Sequence, residues 1–400
     1  MRILYHHRTR GRHVEGVHIR GIVDALRGLG HEVSLLSFPG ADPEAEREGV
    51  PTQAARRGVL AALVTRLPGI AFELLELGYN VLIALRLPRA LRRSRAQAIY
   101  ERYALFMWAS VWLARRRGLP IVLEINDSAL VERVRPLRMK ALARRIERWC
   151  MRNASGLVFV SREFRRLAEE AHGPLAPSAI SPNAVDASRF DPARFDGDAL
   201  RAARGLDGRV VCGYVGAFVR WHGTAAFVQA IIPRLREAPR LTLLLVGDGS
   251  DLAAVRAQVE AAGLDDRILL PGRVAHEHIG GWIACMDYAV LPDSNRYGSP
   301  MKVVEFMAMG VPVVAPDYEP LTELISDGGN GWLFTRRRGD ECVDTVLRLA
   351  RDLPTLRRAG LAARDFIVRE RQWRNNARQL LELMAPAESA PAPRQTETVA

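Results

Sequence analysis

Apolar positions along the chain follow two rhythms that alternate from end to end. Short runs of Ile, Val, Leu and Tyr are each followed by a stretch in which apolar residues return every three or four positions. The first rhythm is that of buried strands, the second that of helices with one apolar face. The spacing predicts a strand over Arg2–Tyr5, a polar loop over His6–Gly16 and a helix over Val17–Leu29. Gly30 closes that helix, because a left-handed residue ends a helix most easily when it has no Cβ. Further strands are predicted over His31–Ser37, Ala98–Tyr100, Ile121–Ile125, Gly156–Val160 and Ala179–Pro182, with helices over Ala104–Arg117 and Leu137–Arg152. The second half repeats the alternation. Strands are expected over Val210–Val215, Thr242–Val246, Ile268–Leu270, Tyr288–Leu291 and Val313–Ala315. The helices among them are Thr224–Leu235, Asp251–Ala262, His278–Met286, Lys302–Met309 and Cys342–Ala350. Strands alternating with helices build parallel sheets covered on both faces, so the expected class is α/β with two doubly wound halves and a cleft between them.

The expected boundaries are a first domain over 1–185, a linker over 186–208 and a second domain over 209–365. A C-terminal helix over 366–384 is expected to cross back to the first domain, and the Ala/Pro/Glu/Thr tail 385–400 to be disordered. The linker holds Asp196-Gly197-Asp198. Two aspartates so spaced can ligate a metal, but a solvated turn suits this Asp- and Gly-rich setting better.

Composition bounds the picture. The 400 residues are 48% apolar and 26% charged, ordinary for a globular chain with a sizeable core. The charge, +12 overall, is one-sided: 32 Lys and Arg face 19 Asp and Glu up to residue 195, and 25 face 26 beyond it. Over 54–95, Leu60, Leu63, Val64, Leu67, Leu74, Leu75, Leu77, Val81, Leu82 and Leu85 are interleaved with arginines. A basic amphipathic helix pair would read so. Such a face suits anionic lipid; it equally suits helices packed on a sheet with arginines in water. Cys150, Cys212, Cys285 and Cys342 form no C-x-x-C pair, which argues against a zinc site and a disulfide framework. No basic and apolar leader opens the sequence, and the apolar run 103–114 is too short to span a bilayer. The expected setting is cytoplasmic.

Candidate chemistry collects where strands end. Val215-Gly216 ends a strand and leads through Arg220, His222 and Gly223 into a helix. Glycine lets backbone approach a ligand, and a helix N-terminus attracts anions. Gly247 and the turn at Gly272-Arg273-Val274 follow two further strands, so three glycine turns converge on one rim. The richest segment is Tyr297-Gly298-Ser299-Pro300-Met301-Lys302-Val303-Val304-Glu305. The amides of Met301 and Lys302 suit phosphate oxygens. Lys302 is one of only two lysines, the other being Lys140. Glu305 stands among apolar neighbours and needs a partner; a carboxylate there can accept both hydroxyls of a ribose. In the first half, Glu124-Ile125-Asn126-Asp127 stands at a strand end. Glu124 reads either as a base or as a salt-bridge partner of Arg102. His13 and His18 lie near the same rim.

These segments, in this order, resemble the retaining GT-B glycosyltransferases of family 4. The resemblance rests on GHEV (30–33), SPNAVDASRFDP (181–192), VGAFVRWHG, VGDG, PGRV, SPMKVVEFMAMGVPVVAP and NGWLF (330–334). It implies two facing Rossmann-like domains and transfer of a sugar, with retention, from a nucleoside diphosphate sugar (UDP or GDP) to a hydroxyl acceptor. It implies no cofactor and no bound metal. The second Glu of the family's E-x7-E maps to Glu305, implied to bind ribose. The first maps to Tyr297, a departure at the position that holds the transferred sugar. The diphosphate-gripping Arg and Lys map to Ala217 and His222, so Arg220, His222 and Lys302 are the expected substitutes. Ser299, Pro300, Met301, Gly216, Gly247, Arg273 and Val274 complete the donor set, with Val274 beside the base. Gly16, in the loop after the first strand, is implied to lie under the diphosphate. Glu124, Asn126 and Tyr297 are the catalytic candidates.

The implied setting is cell-surface or extracellular polysaccharide or glycolipid assembly, with a lipid-linked or saccharide acceptor. The basic first half would then meet the inner face of the membrane; an arginine-rich genome explains it equally. A nucleic-acid partner is not expected, because the aromatic interleaving and motifs of such binders are missing. Two other readings stand beside transfer: a nucleotide-sugar epimerase, and a catalytically silent GT-B protein that binds glycan or docks a membrane synthase.

Overall fold

The computed structural model describes residues 1–9, 14–37, 69–131, 135–335 and 340–385. His13, the apolar positions 60–67 and the tail beyond Ala385 lie outside them. The described chain forms two six-stranded parallel sheets and two compact units. The first unit comprises Met1–Phe159, Arg165–Ser181 and residues from Asn376 on; the second comprises Val160–Phe164 and Pro182–Asn375.

The first sheet has the order β2-β1-β3-β4-β5-β6. Its strands are β1 Arg2–His7, β2 Glu32–Ser37, β3 Ala98–Arg102, β4 Ile121–Ile125, β5 Gly156–Phe159 and β6 Ser178–Ile180. The central strands carry almost unbroken buried apolar runs, such as Ile121, Val122, Leu123 and Ile125 at 0–1% exposure. That pattern belongs to a sheet covered on both faces. The second sheet has the order β12-β11-β10-β7-β8-β9. Its strands are β7 Val210–Val215, β8 Leu241–Val246, β9 Ile268–Gly272, β10 Tyr288–Val290, β11 Val313–Pro316 and β12 Gly331–Phe334. In both sheets the chain first builds one side of its opening strand and then crosses to the other. The order therefore reverses between β1 and β3, and between β7 and β10. Ligands of open α/β sheets lie at the carboxyl ends of strands at such points.

Several expected elements differ. The helix expected over Ala104–Arg117 spans only Ala109–Arg116. Phe106 takes a left-handed φ of 64° ahead of it. The Asn80 carboxamide caps the helix from a distance, accepting from the Trp108 and Ala109 amides at 2.9 Å each. The helix expected over Thr224–Leu235 ends at Ile231 and tightens to a 3₁₀ turn over Ile232–Glu237, because Pro233 has no amide to give. The strand β12 and the helix Leu353–Glu370 were not expected as such. The helix expected over 366–384 is broken. Leu353–Glu370 and Trp373–Met384 flank Arg371, whose carbonyl accepts from the Val185 amide at 3.0 Å. That strand-like contact takes the carbonyl away from the helix ladder.

The expected linker 186–208 belongs to the second unit. Phe190 and Leu206 are 6% and 1% exposed and join its core. Asp196 of the D-x-D caps the short helix Gly197–Ala202, accepting from the Ala199 amide at 3.0 Å. The motif is a helix start.

Candidate functional site

The reversal of strand order in the second sheet places Gly216, just after β7, beside the loop that follows β10. Three glycine turns are joined there in series. The Gly216 amide donates to the Val246 carbonyl at 3.0 Å, and the Gly247 amide to the Gly272 carbonyl at 2.9 Å. A Cβ on Gly247 would lie 1.8 Å from the Gly216 oxygen, so this approach needs glycine. A Cβ on Gly216 would lie 2.4 Å from the Lys302 Nζ. The Lys302 ammonium thus sits directly against the glycine turn.

The other neighbours of that ammonium are neutral. Nζ lies 3.4 Å from His222 Nε2, 3.5 Å from Tyr214 Oη and 4.9 Å from the centre of the Tyr214 ring. His222 Nδ1 is 2.6 Å from the Ala217 carbonyl, so Nδ1 carries the proton and Nε2 turns its lone pair to Lys302. Burial lowers the His222 pKa to about 4, helped by the nearby ammonium, while the Ala217 hydrogen bond pulls the other way. Burial also lowers the Lys302 pKa to about 7, and the more distant Glu305 only partly offsets it. Among the described residues no carboxylate lies within ion-pair distance of Nζ. An anion placed at this turn would supply the missing charge.

The helix Met301–Ala308 begins beside it. Pro300 is its extended cap, and the Val303 amide makes the first 3.2 Å bond to the Pro300 carbonyl. The amides of Met301 and Lys302 therefore belong to the first turn, which has no carbonyls of its own helix to meet. Glu305, 6% exposed, lies one turn on. Its Oε1 accepts from His276 Nε2 at 2.8 Å, so the required partner is a histidine that no motif in the sequence singles out.

Ser299 and Tyr297 have structural engagements. Ser299 Oγ accepts from the Asn183 amide at 3.0 Å, which ties the loop to the segment just before the expected linker. The Tyr297 ring packs on Phe164 at 5.2 Å, and its carbonyl accepts from Ser161 Oγ at 2.6 Å. Arg220 and Arg273 are exposed, and Val274 is half-buried against the core. Tyr214 and Asp293 are unforeseen members of this region. Asp293 accepts from Tyr318 Oη at 2.8 Å, and a Cβ on Gly223 would lie 3.0 Å from its Cβ. Asp248 closes a tight turn on the Gly249 amide at 2.8 Å, as its sequence setting suggests. A groove of about 350 Å³ on β9, lined by Arg204, Arg256, Asp265 and Trp282 among others, shares no residue with this site.

The first unit holds the other candidates. Glu124, 1% exposed at the end of β4, is fully engaged. Its Oε1 accepts from Arg102 at 2.5 Å and from Asn126 Nδ2, and its Oε2 from Tyr5 Oη at 2.9 Å. His18 Nδ1 stands 3.4 Å from Oε1. Burial opposes the charge of Glu124 most strongly, but Arg102, then His18 and the tyrosine hydroxyls, outweigh it and lower its pKa. A carboxylate so held is a poor base. Of the two readings of Glu124, the structure shows the salt bridge with Arg102, and Asn126 is a further donor to it. Burial lowers the His18 pKa to about 4, against the pull of Glu124. Gly16, expected in a loop, lies in the first turn of the helix Val14–Gly28.

Comparison with known proteins fits this geometry. Residues 209–352 match the model of glycosyl transferases group 1, and residues 16–189 that of glycosyltransferase family 4. The two matches together cover most of the chain, which resembles the family 4 glycosyltransferases in both halves. The 2-deoxystreptamine glucosyltransferase of Streptomyces kanamyceticus is 26% identical over 86% of this chain and 90% of its own. The alpha-D-kanosaminyltransferase of the same organism is 28% identical over 61% of this chain, and the match spans 64% of that relative, just under two thirds. The solved structure of Anabaena HepE in complex with UDP superposes with a TM-score of 0.71, at 19% identity, covering 96% of this chain and 99% of that one. The fold is thus the two-domain α/β fold of GT-B proteins, and glycosyl transfer is the activity that the matches support. No described helix is long and apolar enough to cross a membrane.

Proposed function

We propose that this chain transfers a sugar, with retention, from a UDP- or GDP-sugar to an acceptor hydroxyl, without a bound metal. The single observation that carries the reading is the Lys302 ammonium, held against Gly216 among neutral partners, at the point where strand order reverses. As the bond from sugar to diphosphate breaks, negative charge grows on the leaving oxygen. Lys302 and the amides of Met301 and Lys302 are already in place to meet that charge, which is how preorganised positive groups lower a barrier. Glu305 holds a ribose hydroxyl through Oε2 while His276 fixes Oε1. Arg220 reaches the same anion from the exposed rim, and Val274 flanks the base. The relatives whose names record glucosyl or kanosaminyl transfer, and a HepE structure containing UDP and glucose, support a nucleotide-sugar donor. The polybasic first half supports a lipid-linked or polyanionic acceptor in cell-surface glycan assembly, on the cytoplasmic side.

The test is thermal-shift and turnover measurement with UDP-, GDP- and ADP-sugars, with and without EDTA. Donor binding raises the melting temperature by mass action. No rise with any donor, or strict dependence on metal, would overturn the reading. Tyr297, where the family carries Glu, favours the silent-protein reading. Donor binding without any transfer or donor hydrolysis would establish it.

A further inference from the structure

The first half of the helix Gly69–Ser94 is turned against its own sequence, while Ile83, Leu87 and Leu91 are buried further along in the usual way. A helix on a globular domain buries its leucines and shows its acids to water. Here Glu73, Glu76, Tyr79 and Asn80 are buried, while Ile70, Leu74, Leu75, Val81 and Leu85 are 52–66% exposed. Polar contacts hold the helix this way round. Glu73 accepts from the Arg138 and Met139 amides at 2.6 Å each, at the start of the helix Lys140–Asn153. Glu76 accepts from Arg8 at 2.5 Å, and Asn80 caps the helix Ala109–Arg116.

The outward residues are ordered. At about 100° per residue, Ile70, Leu74, Val81 and Leu85 fall within roughly 60° of one another. The stripe runs toward exposed arginines, Arg89, Arg92 and Arg93. The neighbouring helix Ala109–Arg116 carries Trp112, with Trp108 at its N-cap, each 37% exposed, and the Arg116 guanidinium lies 4.4 Å from the Trp112 ring. Arg115 and Arg117 are exposed beside it.

We propose that this face docks the protein on an anionic lipid bilayer. The aliphatic stripe enters the acyl boundary, the tryptophans lie at headgroup level, and the arginines pair with lipid phosphates. Charge selects the occupant. A second copy of this chain would bring arginines against arginines, whereas an anionic leaflet attracts them. The proposal goes beyond the donor site and uses none of its residues.

Co-sedimentation of the full chain with vesicles of phosphatidylcholine, with and without phosphatidylglycerol, tests it. Binding is expected to the anionic vesicles, weakening in 1 M salt, where the screening length falls to about 3 Å. Leu74→Asp with Val81→Asp is expected to weaken it about a hundredfold, roughly tenfold per aliphatic group kept out of the bilayer. Arg92→Gln with Arg93→Gln is expected to remove the preference for the anionic lipid. All four side chains are exposed, so melting temperature and donor binding stay at wild-type values. No wild-type binding to anionic vesicles, or undiminished binding by the aspartate variant, would overturn the proposal. So would a dimer in sedimentation velocity that the aspartates abolish, since it would assign the face to a second copy. Vesicle binding without donor binding would leave this face standing and remove the sugar-transfer reading; donor binding without vesicle binding would do the reverse.

Discussion

The two sheets reverse their strand order in the same way, yet they treat the charges at the reversal oppositely. In the first unit the buried carboxylates are partnered by protein groups. Arg102 meets Glu124 at 2.5 Å, and His6 meets Glu101 at 2.6 Å, with Tyr5, Asn126 and Ser110 taking further lone pairs. In the second unit the Lys302 ammonium meets a histidine lone pair, a phenol and an aromatic face, and no carboxylate within ion-pair distance among the described residues. Buried ions persist when they are paired and hydrogen-bonded. A half-buried cation left with neutral partners is poised for an anion from outside. The first arrangement holds a fold together; the second leaves a place for a ligand.

The comparison can be broken from either side. The largest expected effect is in the first unit. Glu124→Gln leaves Arg102 buried and unpaired, and is expected to cost about 3–5 kcal/mol of stability in denaturant titration. Donor affinity of the folded fraction is expected to stay unchanged. A stable variant with a large loss of turnover would restore Glu124 to catalysis and end the contrast. Next is Lys302→Met, which is expected to lower kcat/KM for the donor by about 10²–10³-fold, the range for removing one preorganised charge donor. Steady-state kinetics within tenfold of wild type would show that the ammonium is structural.

Gly216→Ala comes third. Its Cβ would press on Nζ from 2.4 Å at a φ of 153°. Displacement of the ammonium is expected to weaken donor binding by about 2 kcal/mol, in keeping with strained or displaced groups at such sites, as calorimetry would measure. The smallest effect is the pH dependence. With the Lys302 pKa at about 7, the free site loses its charge as pH rises through neutrality. Donor affinity is expected to fall above pH 7, approaching about tenfold per pH unit, with proton uptake on binding. The stability term runs the other way. Between pH 7 and 10.5 the unfolded lysine holds a proton that the folded one lacks, so this group's contribution to stability rises with pH. Donor affinity independent of pH from 6 to 9 would assign the anion to Arg220 instead.

Much of this was legible in the residues. The strands at Ile121–Ile125 and Val210–Val215 have the expected bounds, because a strand buried on both faces is an apolar run that hardly any other element resembles. The three glycine turns were legible because Gly216 and Gly247 stand where no Cβ fits and Gly272 takes a left-handed φ of 82°. Element ends were less so, since their causes lie far along the chain. Asn80 starts a helix at Ala109, Val185 interrupts one at Arg371, and Phe190 and Leu206 draw a supposed linker into a core.

The sequence by itself determined the alternation, the two α/β halves, the glycine rim and the presence of Lys302 and Glu305 on one short helix. These follow from local periodicity and from the chemistry of single residue types. Only the tertiary structure decided what each charged group faces. It gave Glu305 to His276, closed Glu124 into a network with Arg102 and Tyr5, set Lys302 against Gly216, and turned Leu74 and Val81 outward by burying Glu73 and Glu76. The reason is physical. Whether a charge is satisfied depends on partners 20 to more than 100 residues away, and spacing along the chain carries no record of those distances.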